Sequence, residues 1–502
     1  MNVLLIRPPV KLSDSGGFYI TVAPPLGVGY IASFVRERGF DVWVLDAYGE
    51  GWGNRVRVDE CFTRVGLSDD DIRERVRAVN PDVVGITNLF TNQVECMFHV
   101  AKLVKEVNPS ACVVVGGAHP SSLPLECFSE HIDFVVSGEG ELPFLGILES
   151  ISGERNIESV KNIYYTVAGE VVYNGGGEGI RDLDSIPYPA YDLLPMESYR
   201  EAGVLDSTVR GGHHSRYSMV VSSRGCPYRC CFCSVHLLEG RVWRGRSPED
   251  VVGELILLNT MYGVSRFSFE DSNFTYDMGR VERICDLIVD SGLNLRWTLP
   301  NGVRADKITP RLVGKMRDAG CVEVTVAVEH GSQEFLDRVV HKNICLNDVE
   351  DSVRTIVDAG LPVSGFFILG IPPEDKYSLN RTYWFAVKLA RFGMIPQINF
   401  AIPLPGTELA RECVSGGYLG RLPTPDEYLS HLGSKPLIPL SGVSGGELVR
   451  FRNKMFLVCA LTLLLYHPIL FFRFPFVRQS MRDLLNPSRV VGRVGKILCM
   501  IK

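Results

Sequence analysis

The sequence predicts an α/β protein in three parts: a doubly wound, flavodoxin- or Rossmann-like N-terminal domain, a partial six-stranded (β/α) TIM-like barrel, and a helical C-terminal tail. Three observations carry this prediction. Five short apolar, β-branched runs alternate with helical patterns over residues 1–150. A second strand–helix alternation begins at Ser218 and supplies six more strands. The tail is both apolar and basic, unlike the body that precedes it. At 502 residues the chain is too long for one ordinary domain.

Strands of the first domain are predicted at Val3–Ile6, Val42–Leu45, Val83–Ile86, Cys112–Val115 and Phe134–Val136. Between them lie helical patterns over Leu26–Arg38, from Ser68 onward, and over Val94–Val107. Ser68 is a natural N-cap, and Asp69, Asp70 and Asp71 complement the dipole in the first turn. Parallel strands joined by right-handed crossover helices form a sheet covered on both faces. Residues 151–210 hold Gly175–Gly177 and the proline-spaced run Ile186-Pro187-Tyr188-Pro189, so a linker with one hairpin at Ile163–Tyr173 is expected.

Barrel strands are predicted at Met219–Ser222, Phe267–Phe269, Leu295–Leu299, Val322–Val328, Ser364–Leu369 and Ile398–Ile402. The helix after the first loop opens with Ser247 as cap and Pro248 at its first position. The barrel domain is placed at 211–425 and the helical C-terminal region at 426–502.

With 22% charged and 46% hydrophobic residues and a net charge of −6, the chain has the composition of a folded protein. It lacks the basic footprint of a nucleic-acid binder. From Glu447 onward there are ten Lys/Arg against two Asp/Glu. Within this tail the apolar stretch Phe456–Phe472 spans 17 residues, interrupted by His467 and Pro468. That is at the short limit for a membrane span, so a buried or interfacial helix is expected. Arg450, Arg452, Lys454, Arg473 and Arg478 flank it, as contact with an anionic membrane surface or a solvated face would require. The N-terminus, MNVLLIRPPV, reads as a first strand rather than a signal peptide. The fourteen cysteines are therefore expected to be reduced, in a cytoplasmic protein whose tail provides any membrane association.

The sharpest motif is Cys226-Pro227-Tyr228-Arg229-Cys230-Cys231-Phe232-Cys233, directly after the first barrel strand. That is the barrel end where working residues collect. Cys226, Cys230 and Cys233 have C-x3-C-x2-C spacing, which lets soft thiolates wrap one face of an iron–sulfur cube. Three protein ligands leave one iron open to substrate. A zinc site would need a fourth ligand such as His236. Cys231 is out of pattern and is expected to pack.

With Phe232 in the aromatic slot, this run resembles the C-x3-C-x-aromatic-C signature of the radical S-adenosylmethionine (SAM) superfamily. The resemblance implies a [4Fe-4S] cluster whose open iron is chelated by SAM, and one-electron cleavage to a 5′-deoxyadenosyl radical. It also implies contacts at successive strand ends. Glu270 or Asp271 would meet the SAM amino group, and Arg304 its carboxylate. Glu329, in Glu329-His330-Gly331-Ser332, would lie at the ribose, and Gly370 beside the adenine.

Upstream, Pro25-Leu26-Gly27 opens the first helix, while Thr87-Asn88-Leu89, Gly116-Gly117-Ala118-His119 and Gly138-Glu139-Gly140 follow strands. Open parallel sheets bind ligands at these strand ends, and glycines let a large flat ligand approach the backbone. The segments are similar to the cobalamin domain of the cobalamin-binding radical SAM class (class B methyltransferase-like). That resemblance implies cobalamin contacts at Pro25, Leu26, Gly27, Thr87, Leu89, Gly116, Gly117, His119, Gly138, Glu139 and Gly140. It covers roughly residues 1–150 and 211–410. The sequence has no D-x-H-x-x-G motif, so a cobalt without a lower protein ligand is expected, His119 lying outside that context.

The resemblance implies methylation of an unactivated carbon. One SAM would methylate Co(I), a second would yield the hydrogen-abstracting radical, and the substrate radical would collect the methyl from methylcobalamin. Two cofactors are needed because a carbon without an acidic proton cannot attack SAM as a nucleophile. Cyclisation or oxidation without net methyl transfer is a second reading, and a non-catalytic cobalamin-binding protein a third. Expected partners are SAM, an organic substrate of lipid or isoprenoid type suggested by the apolar, basic tail, and an electron donor such as flavodoxin or ferredoxin.

Overall fold

The computed structural model describes residues 1–14, 22–203, 216–431 and 435–469. Five parallel strands, Asn2–Arg7, Asp41–Asp46, Val83–Thr87, Cys112–Gly116 and Phe134–Val136, centre the first domain. Numbered along the chain they lie in the order two, one, three, four, five. This is the flavodoxin-like winding, with its switch point between Asn2–Arg7 and Val83–Thr87. Side-chain alternation divides the core. Val3 and Leu5 pack with the helices Leu26–Arg36 and Glu141–Ile151. Leu4 and Ile6 pack with Asp69–Val79 and Val94–Val107 on the other face. Ser68 caps its helix, as the sequence suggested, and Asp71 closes a reciprocal capping box with it.

The expected hairpin is present at Ile163–Val167 and Glu170–Tyr173, but it does not stand alone in a linker. Its first strand pairs antiparallel with Phe134–Val136, with Val136 opposite Ile163. It thereby covers a sheet edge that would otherwise present unpaired backbone. Three short strands that the sequence did not signal, Val10–Ser13, Arg55–Arg57 and Phe62–Val65, form a small antiparallel sheet. Arg55-Val56-Arg57 is exposed throughout and so has no apolar alternation to reveal it.

The second domain is a six-stranded parallel sheet in chain order: Tyr217–Val220, Arg266–Phe269, Arg296–Val303, Cys321–Glu329, Val363–Leu369 and Met394–Phe400. The sixth strand begins earlier than expected. It includes Pro396, tolerated because this strand has a neighbour on one side only. Ser247 caps the helix Pro248–Tyr262 through the amide of Asp250.

The C-terminal helix Gly445–Tyr466 buries Leu448, Met455, Cys459 and Leu463 and packs on the helix Lys376–Phe392. His467 ends it, with Nε2 2.9 Å from the carbonyl of Arg391. No helix among the described residues is long and apolar enough to cross a membrane. The part of Phe456–Phe472 beyond Ile469 lies outside the described residues.

Candidate functional site: a cysteine loop over an interdomain cavity

Beyond Val220 the chain turns through Ser222 and Ser223 into the cysteine loop. Asp271 holds that turn. Its carboxylate accepts from the Ser222 amide at 2.7 Å and from the Ser222 and Ser223 hydroxyls at 2.6 Å each. Asp271 is buried, and burial raises its pKa. Of the two carboxylates expected at the SAM amino group, Asp271 is thus turned into the fold, and Glu270 is half-buried, with its carboxylate accepting from the Ser268 hydroxyl and lying 3.5 Å from Asn301 Nδ2. Gly225 has φ +83°, and a Cβ there would lie 2.2 Å from the carbonyl oxygen of Val242. Only glycine fits at this turn.

Cys226, Cys230 and Cys233 are half-buried and close enough to perturb one another. Burial raises the pKa of Cys230 and pushes that of Cys233 up to about 11. Such thiols ionise when a bound metal supplies the compensating charge. Among the described residues no three His, Cys, Asp or Glu side chains converge as tightly as a single metal ion requires. His236 Nδ1 lies 3.1 Å from the Cys233 carbonyl. A trio of thiols without nitrogen or oxygen donors in the motif suits the soft iron of an iron–sulfur cube. Cys231 is buried in the core, with its amide donating to Val340 at 3.1 Å and its carbonyl accepting from Leu409 at 2.9 Å. Phe232 packs half-buried against the same core.

Arg304 departs from expectation. Its guanidinium donates to the carbonyls of Lys342 and Asn343 at 2.9 Å each and to Asp306 at 3.0 Å. It also stacks 3.6 Å from the ring centre of Tyr228. It buttresses the cysteine loop, and these three hydrogen bonds are all made within the protein. Glu329 is buried at φ +67° and accepts from Lys342 Nζ at 2.8 Å. Gly370, with φ +91°, donates its amide to Glu374. Glu374 also meets His330 Nε2 at 3.0 Å. Lys342 and Glu374 were missed from sequence. The only available signal was a carboxylate four residues after Gly370, which a turn could fold back.

Between the domains lies a cavity of about 240 Å³. Its floor is the switch point of the first sheet, at Leu5, Gly85 and Thr87. Nine expected residues line it: Leu26, Gly27, Thr87, Leu89, Gly116, Gly117, Gly138, Glu139 and Gly140. Pro25 borders a smaller adjoining cavity together with Gly27, Thr87 and Leu89. Asn88 lines that space too, and its Nδ2 is buried without a partner among the described residues, ready to meet an amide-rich ligand. His119 lines neither cavity. It is buried, its Nδ1 lies 3.2 Å from Thr91 Oγ1, and burial lowers its pKa to about 4. The far wall comprises Val221, Arg224, Leu238 and Glu239, the residues that flank the cysteine loop.

Residues 20–148 match the B12 binding domain family, and residues 220–383 match the Radical SAM superfamily. The chain is 32% identical over 459 residues to cytidylyl-2-hydroxyethylphosphonate methyltransferase of Streptomyces wedmorensis, covering 84% of this chain and 83% of that one. It is 33% identical to an uncharacterized methyltransferase of Pyrococcus horikoshii, covering 84% of each. The chain belongs to the cobalamin-dependent radical SAM methyltransferases. The radical SAM methyltransferase TsrM of Kitasatospora setae, solved with cobalamin and a [4Fe-4S] cluster bound, shares the fold of this methyltransferase. The TM-score is 0.64 at 18% identity, over 82% of this chain and 75% of that one. The cofactors of this radical SAM methyltransferase are a [4Fe-4S] cluster, SAM and cobalamin.

Proposed function

We propose that the enzyme methylates a carbon without an acidic proton on an apolar, lipid-class substrate. In this reading Cys226, Cys230 and Cys233 hold the cluster, and Glu270 orients SAM. The glycine-rich strand ends with Leu26, Thr87 and Leu89 hold the corrinoid. One observation carries it: Val221, Arg224, Leu238 and Glu239 are at once a wall of the interdomain cavity and the stems of the cysteine loop. Two cofactors placed on either side of one wall can serve one substrate. When bound, they supply a hydrogen-abstracting radical and a transferable methyl group. The chain supplies position and dryness. Leu5, Val114, Val136 and Phe144 make the cavity apolar, and among the described residues no histidine lines it. That supports a corrinoid held without an axial protein ligand.

The lipid assignment rests on the outer face of the C-terminal helix. Leu457, Leu461 and Leu465 repeat every four residues and are exposed, with Ile469 beyond them and Trp384 on the adjacent helix. Arg450 and Lys454 lie upstream on the same helix and are exposed. An apolar stripe beside basic residues suits the surface of an anionic membrane. A one-electron donor of flavodoxin or ferredoxin type completes the system.

The test is an anaerobic assay with methyl-labelled SAM and whole-cell lipid extract. We expect labelled lipid, with S-adenosylhomocysteine and 5′-deoxyadenosine each formed once per product. Methylated product without 5′-deoxyadenosine would refute the radical route. Label confined to water-soluble product would refute the lipid class. The chain is also 28% identical to the anaerobic magnesium-protoporphyrin IX monomethyl ester cyclase of Rubrivivax gelatinosus, over 82% of this chain and 70% of that one. Product accompanied by 5′-deoxyadenosine but no S-adenosylhomocysteine would favour that second reading.

A further inference from the structure

The stems of the cysteine loop form a two-residue ribbon in which Arg224 lies opposite Arg244. Both arginines reach across to the Gly138–Glu141 segment of the first domain. Arg224 donates to Glu141 at 2.7 Å and lies 3.4 Å from Glu139, with its guanidinium 5.2 Å from the ring centre of Tyr30. Arg244 grips Glu139 through both terminal nitrogens and donates to the carbonyl of Glu239 at 3.0 Å. Glu239 in turn accepts from the Gly225 amide at 2.8 Å, one residue before Cys226. The four ion-paired side chains are 5–11% exposed. Arg224, Glu139, Glu141, Glu239 and Tyr30 all face the interdomain cavity.

We propose that Arg224 and Arg244 couple the two cofactor sites, so that corrinoid in the cavity tunes the cluster on the cysteine loop, and the cluster tunes corrinoid affinity. The inference rests on the cofactor placement proposed above. A ligand filling the cavity removes water from these ion pairs, and charge interactions strengthen as the surrounding dielectric falls. The ribbon's first strand, Ser223–Arg224, ends two residues before Cys226, so a change in its ion pairing is delivered to the first cluster ligand. Thermodynamic linkage requires the effect to run equally in both directions.

The test uses full-length protein with and without a reconstituted cluster. Hydroxocobalamin binding is followed by visible absorption, and the cluster midpoint potential by an EPR-monitored redox titration. We expect the cluster-loaded enzyme to bind hydroxocobalamin about fivefold or more tightly than the cluster-free enzyme. We also expect hydroxocobalamin to shift the cluster potential. Arg224→Gln should lose both effects, read as the ratio of hydroxocobalamin affinities with and without the cluster and as the shift in potential, and Arg224→Lys, which keeps the charge, should recover part of them. If Arg224→Gln does not fold, Arg244→Lys carries the test: it breaks the two-nitrogen grip on Glu139 along with the bonds to the Glu239 and Ile180 carbonyls, and Arg244 does not line the cavity. Hydroxocobalamin binding without either effect in the wild type, or coupling unchanged in the variants, overturns the coupling alone. No hydroxocobalamin binding at all overturns the cofactor placement and the coupling with it.

Discussion

Replacing Gly116 by valine should close the interdomain cavity without harming the fold. Gly116 ends the fourth parallel strand, has no positive φ, and lines the cavity. A Cβ built there meets Val136 Cβ at 3.5 Å, an ordinary contact, with nothing else nearer than 3.9 Å. Relative to glycine, a β-branched residue in a strand contributes roughly 0.5–1 kcal/mol of stability. Its methyl groups then occupy space that a corrinoid needs. Forcing a ligand past them costs about 1–3 kcal/mol as overpacking, or roughly 5- to 150-fold in Kd. The assay is equilibrium titration with hydroxocobalamin by visible absorption, with thermal unfolding and iron content as controls. Gly117→Ala is the contrast. At φ +119° its Cβ would lie 2.4 Å from the Asn88 carbonyl oxygen, so about 1–3 kcal/mol of stability should go with it. A Gly116→Val protein that folds normally and binds hydroxocobalamin like the wild type would refute the placement of the corrinoid.

Anaerobically reconstituted Cys230→Ala should lose its iron. Cys231→Ala should keep it and lose about 1 kcal/mol of stability, the cost of one buried atom group; equal iron in the two variants would contradict the ligand assignment. Arg304→Met removes three hydrogen bonds and the Tyr228 stack, so a stability loss on the order of 3 kcal/mol and faster cluster bleaching are expected, measured by urea unfolding and by absorbance in air. Burial holds the His119 pKa near 4, below its unfolded value of 6.5. Below pH 6.5 the unfolded chain takes up a proton that the native state refuses, so stability should fall from pH 6.5 toward pH 4, by up to about 3 kcal/mol. His119→Gln should flatten that slope in unfolding curves at pH 7 and pH 5, and an unchanged slope would contradict the assignment. Leu461→Asp with Leu465→Asp should abolish co-sedimentation with phosphatidylserine vesicles, whereas retention on them would remove the membrane face.

The sequence alone determined the two alternations, the three-thiol spacing and the glycine-rich strand ends. Each of these is a local pattern. Strand and helix periods follow from which side chains must face a core, and ligand spacing follows from the length of one loop. Pro25, Gly116 and Gly138 could be named for the same reason, because they sit where strands or helices begin and end. Only the tertiary structure decided which polar residues are tied into the fold. Asp271 and Arg304 carry the right chemistry at the right strand ends. Yet Asp271 is satisfied by Ser222 and Ser223, and Arg304 by the 342–343 backbone. The partners of a buried charge come from distant stretches of chain, and no local pattern encodes them. The same holds for the wall between the interdomain cavity and the cysteine loop, where Glu139 and Glu141 meet Arg224 and Arg244 across more than 80 positions of sequence. Packing one domain against the other brings those charges together.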